Sequence, residues 1–561
     1  MSVVATPDSP VLIPVPANFP VTWSDPDDER KFWTQDRSHA PNPLTPLDSD
    51  LWVLVYGQID PAGALYEMPV SIVSKIFNAY MYVSVSPVGP PEQMGEALER
   101  CEKQYDIEMG RFDSLWKDEW LPEIQSHLAW WAAFDLANAS MSDLTAHARE
   151  TWTRVERLFY VHFRVVLPTY VALSQFDELY RDLFGKENAF DSFKLLQGLD
   201  NKTMESGRAL WALSRKALAI PEVAAVLKGH QPDGIMDALG QSASGRAFSD
   251  EIRAYLNTYG QRGDKWGLSH RSWIEDPAPA LKNLKDYASQ PTLDFDADHA
   301  ALAAERERAE AAVRERLKGY PAAVRERFEF MLKAAQAGCV ISEDHGFYID
   351  FSGLYRARCV FVEIGRRLAA AGVVGEPDDV FFLTKAEALR ADELIRDGGS
   401  LASRIAERNA EVVRIGKIDA PPVMGTDYGP PPDDMIGHVL VKFFGGPPPT
   451  SDVPGEVKGH AGSPGKVRGR ARVIRSLADA GRLQVGEILV TATTAPPWTP
   501  LFATAGGIVT DAGGVLSHCA VVAREYRIPA VVGTGGGTAV IKDGQMIDVD
   551  GDAGTVRILG D

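Results

Sequence analysis

Between residues 418 and 464 the chain changes character. The stretches DAPPVMGTDYGPPPDD and FFGGPPPTSDVPGEVKGHAGSPG set prolines and glycines at a density that no regular helix tolerates. Such segments behave as semi-stiff spacers, so different architectures are expected on their two sides. One apolar run, HVLVKFF, interrupts them and reads as a strand. Beyond the spacer come KVRGRARVI, GEILVTAT, GGIVTDA, AVVGTG and MIDVDGDAGTVRIL, short β-branched runs punctuated by Gly and Asp-Gly turns. They predict a small α/β domain.

The other side is helical. Aromatic and aliphatic residues return at helical spacing in WLPEIQSHLAWWAAFDLA and TWTRVERLFYVHFRVVL, and Ala, Glu and Arg fill HAALAAERERAEAAVRERLKGYPAAVRERFEFMLKAAQAG. Trp130 and Trp131 are expected as core rather than as a cofactor stack. After an extended, proline-rich opening, DPDDERKFWTQDRSHAPNPLTPLD at 25–48 joins an Asp-capped amphipathic turn to a Pro-Asn-Pro-Leu-Thr-Pro stretch that cannot be helical, and it reads as a docking arm. The fold class expected is therefore multidomain. A large, mostly α-helical substrate domain spans 1–430, a Pro/Gly-rich linker 431–454, and an α/β domain 455–561.

With 45% hydrophobic and 24% charged residues, the composition is that of an ordinary globular chain. A net charge of −19 argues against nucleic acid, whose affinity comes from Lys and Arg displacing counterions. Cys101, Cys339, Cys359 and Cys519 show no metal-ligand spacing and fit a reduced, cytoplasmic protein without a metal site. The N-terminus lacks a basic, apolar leader, and no run is long enough to span a bilayer.

The string TDAGGVLSHCAVVAREYRIPAVVG, residues 510–533, places a histidine where a helix begins. Gly513 and Gly514 let the backbone turn tightly, and Ser517 is a natural N-cap, so His518 lies at the positive end of a helix. Free N–H groups there favour a phosphoryl group, and a neutral imidazole is a competent nucleophile for phosphorus. By itself, a lone histidine of this kind more commonly fills the first helical turn.

The wider string, with GEILVTATTAPPWTPLFATAGGIV and SPGKVRGRARVI before it, resembles the phosphohistidine swivelling domain of the phosphoenolpyruvate-utilising enzymes. That family includes phosphoenolpyruvate synthase, pyruvate phosphate dikinase and rifampin phosphotransferase. The resemblance implies that His518 becomes phosphorylated, with Thr510, Gly513, Gly514, Ser517 and Arg524 around the phosphoryl group. It also implies a domain that swings between a donor and an acceptor station. Cys519 and Ala495 depart from the pattern. The chain ends at Asp561, with no room for the C-terminal (β/α)8 barrel that binds phosphoenolpyruvate, so that compound is not expected as partner substrate. No Gly-x-x-x-x-Gly-Lys-Ser/Thr loop is present, and GTGGGT at 533–538 reads as a turn. Charging from ATP with Mg2+ on a separate ATP-grasp-type subunit is expected.

Residues 1–430 resemble the substrate domain of rifampin phosphotransferase, and more closely the subunits of aryl-phosphate-forming dikinases such as phenylphosphate synthase and 4-hydroxyphenylethanone (acetovanillone-type) kinases. The carriers are PNPLTPLD, NAYMYVS, YGQRGDKWGLSHRSWIEDP, ISEDHGFYIDFSGLYRARCVFVEIGRRL and PDDVFFLTKAEAL. Phosphorylating a phenol needs a base within hydrogen-bond reach. His345 is the first candidate and Glu343 the second, with Asp344 beside them; capping or pairing with nearby arginines is the alternative role for the two acids. Arg262, Lys265, Arg356 or Arg358 would neutralise transition-state charge, and Tyr80, Tyr82, Phe347 and Tyr348 would suit an aromatic acceptor. Ser342 and Gly346 depart from the drug-phosphorylating relatives. The function implied is a subunit of a two-component dikinase that passes phosphoryl from His518 to a small phenol in aromatic catabolism. A rifamycin-like phosphotransferase and a non-catalytic phosphocarrier or regulatory protein are the alternatives.

Overall fold

The computed structural model describes residues 10–185, 190–263, 265–446, 448–494 and 498–559. The chain forms two compact units. The first joins residues 1–168, 265–270 and 348–432; the second joins 169–264, 271–347 and 433–561. Helices dominate both, and the C-terminal part of the second is α/β. Among the described residues no helix is long and apolar enough to cross a membrane.

The first unit contains a five-stranded sheet that the helical reading of this region does not anticipate. Its order is Val11–Ile13, Val423–Asp427, Phe32–Gln35, Tyr80–Pro87, Val70–Phe77. The last two strands form a hairpin, with Phe77 opposite Tyr80. Asn78 and Ala79 between them both have positive φ, 47° and 61°, as a two-residue turn matching the strand twist requires. Val11–Ile13 is the edge strand, antiparallel to Val423–Asp427, while in the segment read as a docking arm Phe32–Gln35 is an inner strand of this sheet and Pro46 opens the helix Pro46–Tyr56. Phe19, Trp33, Phe77, Tyr80, Tyr82 and Met424 make the core on this sheet. Trp130 stacks on His147 with centroids 4.0 Å apart, and buried Trp131 donates from Nε1 to Thr151 Oγ1 at 2.9 Å.

In the second unit, helices Lys202–Ala219, Pro221–Gly229, Ala243–Tyr259 and Ala278–Ser289 close on a core that includes Leu210, Phe248, Trp273 and Tyr287. The long helices Phe295–Leu317 and Ala322–His345 follow. The C-terminal sheet runs Glu456–Lys458, Thr555–Ile558, Met546–Asp550, Lys466–Val473, Ile488–Thr491, Gly507–Thr510, Ala530–Val532, His460–Ser463. Its four strands from Lys466–Val473 to Ala530–Val532 are parallel. Wholly buried runs such as GIVT suit a parallel strand covered on both faces.

HVLVKFF is a helix, not a strand. Met435–Phe444 begins at Asp434, whose side chain accepts from Gly437 N, and ends at Gly445 with φ 88°. Its Phe443 ring stacks on Tyr170 with centroids 3.6 Å apart. The cap, the glycine and this packing outweigh the β propensity of its valines.

Candidate active site

The strand Gly507–Thr510 leads into the His518 loop at its carboxyl end, where open parallel sheets bind ligands. Thr510 is buried and donates from Oγ1 to Ala512 O at 2.9 Å, so its hydroxyl shapes the turn. Asp511 accepts from Thr538 N at 2.9 Å and from the hydroxyls of Thr534 and Thr538. Those bonds fasten the GTGGGT turn to the loop, which accounts for that glycine run structurally.

Gly513 has φ 105°, a conformation that favours glycine. Gly514 is a different case, because its backbone donates to Phe443 O at 3.1 Å while Leu516 N donates to Lys442 O at 2.8 Å. The loop is thereby zipped to the last turn of Met435–Phe444. A Cβ on Gly514 would stand 2.2 Å from Lys442 O and 2.5 Å from Val441 O, both main chain. Gly514→Ala is expected to cost about 2 kcal/mol by overpacking, read as an earlier midpoint in urea unfolding.

His518 opens the helix His518–Glu525, with Ser517 in the N-cap position. The Ser517 side chain makes no cap bond; its Oγ is buried and has no partner among the described residues. The His518 ring is half-buried, with Nδ1 3.2 Å from Thr494 Oγ1 and Nε2 3.3 Å from Thr499 Oγ1. Phe502 meets it edge-on at 6.2 Å. Burial pushes its pKa down to about 3, which keeps the imidazole neutral at physiological pH. A neutral ring with a lone pair, an unengaged hydroxyl and the N-terminal end of a helix suit capture of a phosphoryl group. Ala495 lies outside the described residues. Buried Cys519 has its thiol pushed up to about 12 by burial and behaves as a small apolar residue.

Arg524 braces the loop from behind. Its guanidinium donates to Gly462 O at 2.7 Å and Val515 O at 2.9 Å and lies over the Phe193 ring. Burial lowers its pKa to about 10, so it stays charged. The end of the helix His518–Glu525 and the turn that follows it seat the sheet domain on the helical part of this unit. Glu525 accepts from Gly198 N at 3.2 Å, Tyr526 Oη is 3.5 Å from Tyr287 Oη, and Arg527 pairs with Glu305 at 3.3 Å.

Burial raises the Glu525 carboxyl from 4.5 to about 7. Its native pKa exceeds the unfolded one, so the native chain binds the extra proton between those values. Stability present below about pH 4.5 is lost as pH rises towards 7. Glu525→Gln mimics the neutral acid and keeps an acceptor for Gly198. Its Tm is expected to exceed that of the wild type at pH 8, by about 2 kcal/mol of stability, and to match it at pH 4.5.

The acceptor-side candidates are divided between the units. In the second, Glu343 Oε2 accepts from Thr203 Oγ1 at 2.6 Å. Burial and then Asp344 raise its pKa, while Thr203 and Arg262 oppose them. Asp344 caps a neighbouring helix, accepting from Lys202 N at 2.8 Å. His345 is buried, with Nδ1 3.2 Å from Ile341 O. Arg262 is buried over Trp273 and donates to Tyr259 O. Phe347 lies 6.2 Å from Tyr259.

Tyr80, Tyr82, Lys265, Tyr348, Arg356 and Arg358 belong to the first unit. Tyr80 and Tyr82 are sheet core, and their hydroxyls donate to Ile418 O and Pro421 O. The Arg356 guanidinium lies over Tyr355, and Tyr348 faces Trp116 at 6.4 Å. Lys265 is half-buried. Arg358 is buried and donates to Leu268 O at 2.6 Å. Sequence reasoning missed Thr494, Thr499 and Lys442. The two threonines carry no local signal, whereas Lys442 is the lone charge within HVLVKFF.

Residues 162–343 match the rifampicin phosphotransferase fourth domain, and residues 483–554 match the PEP-utilising enzyme mobile domain. Over 99% of its length the chain is 38% identical to a chondramide synthase of Chondromyces crocatus, covering 14% of that protein. It is 27% identical over 97% of its length to the uncharacterised phosphotransferase YvkC of Bacillus subtilis, covering 63% of it. With a rifampicin phosphotransferase of Streptomyces sviceus it shares 30% identity over 71% of its length and 44% of the relative's. The chain thus spans less than two thirds of each of these relatives.

Proposed function

Because the chain is a member of the PEP-utilising enzyme family and resembles rifampicin phosphotransferase, we propose that it is a phosphotransferase whose carrier group is His518. The reading rests on one observation. A neutral imidazole stands at the first position of a helix, beside the unpartnered Ser517 hydroxyl, on a Gly-Gly loop that the main chain of Met435–Phe444 holds in place.

The phosphoryl comes from ATP bound with Mg2+ on a separate ATP-grasp-type subunit. ATP leaves as AMP and phosphate, and its β-phosphoryl is held on a His518 ring nitrogen. For that, one of the threonine hydroxyls now beside the ring must yield its place. The acceptor is the hydroxyl of a small phenol. The phosphoramidate bond is reactive enough to pass its phosphoryl on, and the setting is cytoplasmic aromatic catabolism.

The test incubates the full chain with β-labelled ATP, with and without the ATP-grasp-type subunit. Acid-labile label that needs the subunit and is discharged by an added phenol is expected. Label without the subunit would place an ATP site on this chain, and no label would leave His518 structural.

A further inference from the structure

The first unit holds a cluster that the phosphorylation of His518 does not use. After the strand Phe32–Gln35 the chain turns on Asp36, whose Oδ1 accepts from Ser38 N and His39 N at 3.1 and 2.9 Å. His39 Nδ1 lies 3.1 and 3.0 Å from the two Asp36 oxygens. The Tyr56 hydroxyl, from helix Pro46–Tyr56, donates to Asp36 Oδ2 at 2.6 Å. The Asp36 side chain is 6% exposed and that of His39 27%. An Nδ1–H given to Asp36 puts the lone pair of the neutral ring on Nε2. Burial works against a charged His39 ring, but Asp36 outweighs it and raises the pKa, with Asp350 adding to the effect. His39 is therefore a stronger base than free imidazole.

Aromatic rings surround the pair. Trp266 stands 4.9 Å from the His39 ring, Trp52 6.0 Å and Tyr56 6.4 Å. The indole N–H groups of Trp52 and Trp266 are both buried and without a partner among the described residues, and Trp52 is only 5% exposed. Buried indole N–H groups ordinarily find an acceptor. Trp120, Trp152 and Trp273 also lack one among the described residues, so what sets Trp52 and Trp266 apart is their place beside a His–Asp pair, where their N–H groups give a ligand two donors.

Resting on the phosphotransferase reading, we propose that this cluster is the acceptor site, binding a hydroxylated aromatic compound against Trp52 and Trp266 with His39 as the catalytic base. The acceptor O–H gives its proton to His39 Nε2 as the oxygen lone pair forms the O–P bond. The N–P bond of phosphorylated His518 breaks, its electron pair returns to the ring nitrogen, and His39 then releases the proton to water. Glu343 and His345 are not needed as the base.

The probe is 4-nitrophenol, titrated into the full chain and followed by tryptophan fluorescence and by the visible absorbance of bound nitrophenolate. Saturable binding is expected in the wild type. His39→Gln and Trp266→Phe should each raise Kd about tenfold, the scale of one lost hydrogen bond. Trp266→Phe should keep the wild-type Tm, whereas His39→Gln should lower it because buried Asp36 loses its charge partner; read on the folded protein, His39→Gln should lose the nitrophenolate signal. Absence of saturable binding, or unchanged binding by both variants, overturns the site. Failure of the phosphotransferase reading is separable, since His518 would then stay unlabelled in a chain that still binds 4-nitrophenol.

Discussion

His518→Asn is expected to reduce phosphoryl incorporation by about 10^4-fold or more, the scale of removing a nucleophile, while stability at pH 7 stays within about 1 kcal/mol of the wild type. Among the described residues the His518 side chain makes two hydrogen bonds, to Thr494 and Thr499, and asparagine can keep one of them. The pH dependence has a definite sign. The native pKa of about 3 lies below the ordinary 6.5, so the unfolded chain takes up the proton first as pH falls. This residue's contribution to wild-type stability is fully present above pH 6.5 and is lost towards pH 3. The asparagine variant lacks that loss. A stability curve that flattens between pH 6 and 4 in the variant, together with absent label, is the expected pair of results. Retained label would assign the phosphoryl group to another residue.

The site was legible where its chemistry is local. Thr510, Gly513, Gly514, Ser517 and His518 lie within nine positions, and the turn, cap and helix they specify form as their order implies, although the Ser517 hydroxyl is left for something other than capping. The ring's partners were hidden because Thr494 and Thr499 reach it across a β–α connection, 24 and 19 residues away. Sheet pairing hid more of the fold. Val423–Asp427 lies between strands near residues 12 and 33, a register that no local periodicity records. Tyr80 and Tyr82 show what was overlooked. Positions i and i+2 of a strand share one face, so an aromatic pair in YMYVS was already a signal of sheet core. For HVLVKFF the local evidence was balanced, since valine favours strands while an Asp cap and a following glycine favour a short helix. Contact with Tyr170 and the His518 loop settles that balance. Asp36 and His39 carry a readable spacing as well, but their meaning emerges only once Tyr56, Trp52 and Trp266 gather around them from other segments.

Lys442→Met is expected to cost about 2–3 kcal/mol, because a buried carboxylate loses a cation. Lys442 Nζ reaches Asp177 Oδ2 at 3.1 Å, Glu178 Oε1 at 2.9 Å and Ser174 O at 2.9 Å, all on the helix Met141–Phe184. The Asp177 side chain is 1% exposed, so water cannot replace the lysine. The figure stays below that for an isolated buried pair, since Arg181 and Ser192 still hold Asp177 at 2.8 and 2.7 Å. Methionine preserves the apolar stem, which isolates the charge. Burial pushes the Asp177 pKa up, but Lys442, Arg181 and Ser192 together hold it below 3.8. The resulting stability is present above about pH 3.8 and is lost as pH falls through the native value; in the variant that loss begins at higher pH. The helix Met435–Phe444 is thus fastened by side-chain ion pairs and ring stacking on one flank and by main-chain hydrogen bonds to the His518 loop on the other. Domain movement that preserves the loop's geometry would break the side-chain flank. Urea unfolding should show the destabilisation, while His518 in the folded variant still accepts phosphoryl at close to the wild-type rate. A variant that folds as stably as the wild type but is charged slowly would instead mean that Lys442 acts on the phosphoryl group itself.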